Sequence, residues 1–218
     1  MKYELIKTEL DEQGCSKYLD LRESQIQGYG LFASRPLQRG SILWLRSEGT
    51  NEEFMSTEEF EKMTPEEKKE FLLYGYQIKG GYAYPPKDAE PEKSDYWNHS
   101  CNGNSGIHYR NGKINGIRYD RDDIWVALID ISKGEEVTVD YATFETSPDE
   151  VLYCNGLNEK DCRKIVTGND WKIPRVQKQY KGHFSTEAQE LINRYNKNGV
   201  KSREHNGLVV MEQDLELW

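Results

Sequence analysis

Three short segments bring together residue types that can do chemistry. Gly28-Tyr29-Gly30, continuing as Leu31-Phe32-Ala33, sets two glycines around one aromatic residue. That pattern lets a backbone approach a ligand closely before a strand begins, or simply turns a tight hairpin. With no third glycine and no following helix it is not a dinucleotide-binding loop. Asp95-Tyr96-Trp97-Asn98-His99-Ser100-Cys101-Asn102-Gly103-Asn104 is a dense polar run entered by two aromatics. Its amide, imidazole and thiol could hold a ligand; His99 could equally be a hydrogen-bonded structural histidine and Cys101 a small buried apolar residue. The third segment, 131–141, turns at Lys133-Gly134 and runs through Glu135-Glu136-Val137-Thr138-Val139-Asp140 to Tyr141. A tyrosine at a strand end packs its ring and leaves its hydroxyl to find a partner.

The elements that must position these residues are mostly strands. Short apolar runs at 18–24, 30–34 and 42–46, punctuated by Gly and Pro, predict strands in the first part of the chain. Ser56 with Glu59, and Thr64 with Pro65 and Glu67, are two successive capping boxes that predict short acidic helices over about 57–74. Residues 76–93, with Gly80-Gly81 and Pro85-Pro86, read as a turn followed by a surface loop. Asn111-Gly112 and Asn115-Gly116 are hairpin-type turn signals, 124–129 is a buried strand candidate and 137–141 a second. Ser185 can cap a last helix whose Ala188, Leu191, Ile192 and Tyr195 share one face, with Gly199 as its stop.

In 218 residues, 29 Lys plus Arg stand against 38 Asp plus Glu, a net charge of -9. That excess argues against general affinity for nucleic acid, which needs a cationic face, and fits a basic partner. No stretch approaches the about 20 apolar residues of a membrane span, and residues 1–9 lack the apolar block of a secretory signal, so an intracellular protein without membrane association is expected. Four cysteines, Cys15, Cys101, Cys154 and Cys162, do not read as a secreted disulfide framework.

In this order and at these separations the three segments resemble the SET-domain protein-lysine methyltransferases, whose signatures run GxG, NHSCxPN and GEExTxDY. The resemblance covers about residues 16–145, and 154–171, ending in Thr167-Gly168-Asn169-Asp170-Trp171, looks like a reduced post-SET segment. It implies a mostly β fold of small curved sheets with short helices, β-clip-like, in which the segment of Asn98 and His99 passes through a knot-like strand crossing. The implied organisation is an N-terminal segment (1–15), a SET domain (16–145) with a helical insert at about 56–74, a post-SET-like segment (146–171) and a helical C-terminal extension (172–218).

The implied activity is methyl transfer from S-adenosylmethionine to a lysine ε-amine of a protein, with a basic tail such as that of a histone or ribosomal protein as substrate class. Alternatives are a noncatalytic peptide-binding module of the same fold and a methyltransferase for small amines. By the same resemblance Tyr141 is the catalytic tyrosine. Gly28, Tyr29, Gly30, Asn98 and His99 bind the cofactor, and Tyr74, Tyr76, Tyr82, Tyr84, Tyr96 and Val139 are candidates for the substrate channel. Val139 stands where many members carry Phe or Tyr, which leaves the number of methyls open. Gly103 replaces a usual proline and is expected to loosen that turn. Relatives with a metal post-SET segment hold zinc with four cysteines. Here Gly156 occupies one of those positions, so zinc is not expected; Cys101, Cys154 and Cys162 are the ligands were it bound, with Cys15, Asp161 or water as the fourth. The sequence carries no sign of an oligomeric state.

Overall fold

The structure is a computed structural model that describes residues 4–46, 52–72, 75–78, 80–86, 92–108, 111–114, 117–147, 151–154, 162–197, 203–205 and 208–210. Strands β1 (Leu19–Glu23), β2 (Tyr29–Ala33), β3 (Ile42–Leu45) and β4 (Glu53–Ser56) come first, then helices α1 (Thr57–Glu61) and α2 (Pro65–Phe71). β5 (Tyr76–Ile78), β6 (Gly81–Tyr84), β7 (Asn98–His99), β8 (Ser105–Ile107), β9 (Gly112–Ile114), β10 (Ile117–Tyr119), β11 (Ile124–Ala127) and β12 (Glu136–Val139) follow. The rest comprises β13 (Val151–Tyr153), β14 (Ile165–Thr167), α3 (Pro174–Gln179), α4 (Thr186–Lys197) and a short hairpin, β15 (Arg203–His205) with β16 (Leu208–Val210). The expected mostly β architecture followed by helices is what the chain adopts, but the extension expected to be helical also carries the β15–β16 strand pair.

The main sheet has the order β1-β2-β12-β8-β11-β3, with β7 also on β12. Alternation decides which side chains it buries. Leu31 and Ala33 of β2 and Val137 of β12 face one core with Leu19, Leu37, Leu43 and Ile131, whereas Ile124 and Val126 of β11 face another with Ile42 and Tyr119. Most pairs are antiparallel, but β12 runs parallel to β7, with Thr138 opposite Asn98 and Val139 opposite His99, and parallel to β8 at Ser105. This is the expected crossing. Asn104 fastens it: its carbonyl accepts from the Thr138 amide at 2.9 Å and its amide donates to the Glu136 carbonyl at 2.9 Å.

Gly103 does not loosen the crossing. A Cβ there would lie 2.7 Å from the Asp140 nitrogen and 2.8 Å from the Val139 carbonyl carbon, so the glycine is what lets the two backbones touch. Gly103→Ala should therefore destabilise the protein by about 1–3 kcal/mol, the usual cost of forcing an atom into packed structure, measured as a lowered denaturant midpoint with an unchanged slope.

Both capping boxes form. The Glu59 amide donates to Ser56 Oγ at 3.2 Å while the Ser56 amide donates to the Glu59 carboxylate at 2.9 Å, and Thr64 and Glu67 repeat the exchange at 3.2 and 2.8 Å. The stretch 76–93 departs from the expected turn and loop. β5 and β6 form a hairpin at Gly80, whose φ of +84° only glycine adopts easily, and β4 adds to it as a third strand. The glycine pair marks a hairpin because Tyr76-Gln77-Ile78 and Tyr82-Ala83-Tyr84 flank it as pairable runs. α1 packs on this small sheet through Phe60, which stacks on Tyr82 at 4.1 Å between centroids, and α2 through Phe71, which meets Tyr82 and Tyr84 edge to face. Gly112 begins β9 rather than a turn, because it sits opposite Tyr119 and a Cβ would meet that hydroxyl at 2.5 Å. The turn proposed at 115–116 lies outside the described residues, as does Gly199.

Ser185 caps α4 as expected, accepting from the Ala188 amide at 3.1 Å. Ala188 and Ile192 are buried, with Leu191 and Tyr195 beside them, in a third core with Trp171, Val176, Tyr180, Phe184 and Ala142. Ala142 directly follows Tyr141, so the C-terminal helices brace the end of β12 from behind. Among the described residues no helix is long and apolar enough to cross a membrane.

Candidate active site

The ends of β7 and β12 and the turn before β2 meet at one place. Gly28 turns the chain at φ +49°, and its carbonyl accepts from the Ser24 amide at 2.8 Å, closing the β1–β2 hairpin. The two hydrogens of the Asn98 amide are shared among the Gln27 carbonyl (3.2 Å), the Tyr29 carbonyl (2.9 Å) and Glu136 Oε1 (2.7 Å). Ser24 Oγ lies 2.8 Å from the other Glu136 oxygen. Gly30 has no room for a side chain, since a Cβ would fall 2.1 Å from Glu136 Oε1 and 2.8 Å from Asn98 Nδ2. The Gly-x-Gly signal thus has two physical causes, a left-handed turn and a close approach. Tyr29 between them is half exposed and meets Tyr96 edge to face.

His99 is buried and holds the next residue in line. The Tyr141 amide donates to His99 Nδ1 at 3.2 Å, which leaves the proton on Nε2, directed at Cys101 Sγ at 3.3 Å. Burial lowers the imidazole pKa from 6.5 to about 4, with Asp140 opposing and Arg163 assisting. The unfolded chain therefore binds a proton that the folded one refuses between those values. The stability this neutral imidazole contributes is present above pH 6.5 and is lost as pH falls toward 4, at most about 3 kcal/mol. Denaturant titrations at several acidic pH values should show that loss, and a His99→Gln variant should lose correspondingly less.

Tyr141 is fixed at both ends, because its hydroxyl donates to the Trp97 carbonyl at 2.9 Å. It lines two cavities. One is bounded by Gln27, Asn98, His99 and the β13 residues Leu152 and Tyr153. The other, larger one has aromatic walls from Trp97, Trp125, Phe144 and Tyr141, and Val139 lines it too. Trp97 and Trp125 stack at 5.8 Å. Its remaining rim carries Tyr76 and the carboxylates of Glu52, Asp95 and Glu145. Tyr76 donates to Glu52 at 2.5 Å and faces the Arg46 guanidinium, while burial and Glu52 hold the Asp95 carboxyl above its usual range.

Of the residues singled out in the sequence, Gly28, Tyr29, Gly30, Asn98, His99, Tyr141, Tyr76 and Val139 converge here. Tyr96 does not line the aromatic cavity; its ring is engaged by Tyr29. Tyr82 and Tyr84 belong to the insert, packed on Phe60 and Phe71. Tyr74 lies outside the described residues. The walls Trp97, Trp125 and Phe144 were not singled out, although Trp97 adjoins Asn98 and Phe144 follows Tyr141 by three positions.

The thiols of Cys101, Cys154 and Cys162 lie near one another. The Lys164 amide donates to Cys162 Sγ at 3.3 Å, and burial pushes the Cys101 thiol up to about 12. His99, Cys101 and Cys154 hold their donor atoms within 4.8 Å of one another. Yet His99 is already committed: a neutral ligating ring would need its proton on Nδ1, where the Tyr141 amide also points a hydrogen. Cys15 is buried in the core against β3 and cannot join, and Asp161 lies outside the described residues. Even so, His99, Cys101 and Cys154, with the Cys162 thiol beside them, form a candidate metal site among the described residues, where the sequence led to none being expected.

Residues 28–142 match the family model of the SET domain. No curated protein matches the chain. Among solved structures, a candidate histone methyltransferase of Plasmodium falciparum is similar at 19% identity over 58% of this chain and 94% of that one, with a TM-score of 0.39. The family match spans more than half of the sequence and takes in the glycine turn, Asn98, His99 and Tyr141 together, so the chain belongs to the SET-domain family.

Proposed function

We propose that the protein transfers the methyl group of S-adenosylmethionine to the ε-amine of a lysine in a basic protein segment. The observation that carries this reading is that Tyr141 lines both a small polar cavity and an aromatic one, as a group between methyl donor and acceptor must. The donor, when bound, supplies an electrophilic methyl on a sulfonium. The smaller cavity suits its charged amino-acid end: Ile26 and Gln27, which lead into the turn at Gly28, line it together with Asn98 and His99.

The aromatic cavity suits the acceptor. A free lysine at pH 7 is neutral in only about one molecule in 2,500, a cost of about 4.6 kcal/mol to the nucleophile. Walls of Trp97, Trp125 and Phe144 exclude water and disfavour the ammonium form. Because the Tyr141 hydroxyl donates to Trp97, its oxygen presents lone pairs toward the cavities, where it can accept from the amine and orient it. The carboxylate of Asp95 and the acidic insert around Glu58, Glu66 and Glu67 draw a cationic segment to the entrance, while Glu52 is ion-paired with Arg46. Association with a Lys-rich peptide should therefore weaken as salt rises; a salt-independent rate would remove the steering role.

Calorimetric titration with S-adenosylmethionine and its demethylated product, followed by transfer of labelled methyl to a Lys-rich peptide or to free lysine, tests the whole reading. Donor binding with label in the peptide is expected. Absence of donor binding, or label in free lysine alone, overturns it.

A further inference from the structure

Arg163 lies in the post-SET-like segment, outside the three motifs that meet at the site, yet it is the cation paired with Asp140, the buried residue next to the proposed catalytic tyrosine. Its guanidinium grips Asp140, the residue before Tyr141, with both prongs: Nη1 to Oδ2 at 2.9 Å and Nη2 to Oδ1 at 2.5 Å. The two side chains are 7% and 0% exposed. Nε faces Asp170 Oδ2 at 2.7 Å, and Asp170 is in turn held by Thr167 Oγ1 at 2.9 Å. The Arg163 amide donates to Cys101 Sγ at 3.4 Å, which ties it to the segment of His99. The chain reverses immediately afterwards at Lys164, whose φ of 67° makes it the one non-glycine residue in the left-handed region among those described. Such strain persists only where surrounding contacts fix it.

Asp140 also shapes the backbone around Tyr141. Its Oδ1 accepts from the Ala142 amide at 3.1 Å, and its carbonyl accepts from the Thr143 amide at 2.9 Å and Thr143 Oγ1 at 2.8 Å. Burying a carboxylate without an opposite charge beside it is costly, and Arg163 supplies that charge. We infer that Arg163 is a positioning residue: it aims the Tyr141 phenol by clamping Asp140 from the segment that follows the SET domain. The inference rests on the reading of Tyr141 as the catalytic tyrosine. It makes the segment around Arg163 part of the active site's frame, held by an ionic clamp beside the cysteine cluster. The same contacts give the segment a way to report its own docking, since Tyr141 is aimed only while Arg163 is seated.

The test compares wild type, Arg163→Met and Arg163→Lys in methyl transfer to a Lys-rich peptide, with amide hydrogen exchange on the same proteins. Arg163→Met is expected to lower kcat about 10- to 100-fold, the scale for a reacting group displaced by about 1 Å, while KM for S-adenosylmethionine stays within about two-fold. Lysine restores charge but not the fork and should fall between them. If Arg163→Met does not fold, the same split in Arg163→Lys decides. Exchange of the amides of Tyr141, Ala142 and Thr143 should quicken in the variants while β1 and β2 stay protected. An unchanged kcat in a folded variant, or exchange that quickens everywhere alike, overturns the inference. Should the wild type transfer no methyl, the proposed function fails, and the exchange pattern alone still decides whether Arg163 holds Tyr141.

Discussion

Tyr141→Phe should lower methyl transfer at saturating donor and peptide by about a hundred- to a thousand-fold, the range seen when one positioned polar group is removed from a reacting centre. The ring would remain in place: it meets His99 at 5.2 Å and Phe144 at 5.4 Å between centroids, and the backbone amide keeps its bond to His99 Nδ1. What disappears is the oxygen between the two cavities and its bond to the Trp97 carbonyl. Donor affinity should change little, because the turn and Asn98 that border the donor cavity are untouched. Stability should fall by no more than the about 1 kcal/mol that one hydrogen bond contributes. Single-turnover transfer of labelled methyl, paired with calorimetric donor affinity, separates these effects. A variant that turns over as fast as the wild type would remove Tyr141 from the chemistry, and one that loses donor binding instead would make it a binding residue.

The readable part of this site lay where a residue type has a single physical use. Gly28 and Gly30 announced a turn and a close approach, and both occur for reasons of backbone and packing that glycine alone satisfies. Ser56 with Glu59 and Thr64 with Glu67 announced helix starts, because a capping box is a local exchange that needs no distant partner. The parts that escaped are those whose meaning depends on residues far along the chain. Trp97 and Trp125 become cavity walls only when β7 and β11 are brought to one sheet, 28 positions apart in sequence. Arg163 and Asp140 are 23 positions apart, and nothing local distinguishes Arg163 from a solvated arginine. The hairpin of β5 and β6 was hidden by its glycines, which serve loops and hairpins alike until a partner strand selects one. Gly103 misled in the other direction: compared with a proline it suggests slack, whereas the approach of Val139 and Asp140 leaves no space for a Cβ.

Asn98→Ala should weaken S-adenosylmethionine binding about ten- to a hundred-fold while leaving kcat at saturating donor close to that of the wild type. Glu136 is where the effect arises. Asn98 places its amide between that carboxylate and the carbonyls of Gln27 and Tyr29, so three acceptors that would otherwise repel one another share two hydrogens. Alanine leaves them facing each other, and the turn must open or admit water, which distorts the backbone that the donor would meet. A hydrogen bond to a charged group contributes about 1.5–3 kcal/mol, which corresponds to the stated loss. Gly30→Ala approaches the same arrangement from the opposite side. Its methyl would press on Glu136 Oε1 and Asn98 Nδ2 and drive both from the turn, so it should reproduce the defect with Asn98 still present. Calorimetry on the two variants and their combination gives the decisive comparison: the double variant should bind no worse than the weaker single one, because both remove one shared arrangement. Losses that simply add would mean that Asn98 and Gly30 act on the donor separately, and the bridge to Glu136 would then be structural only.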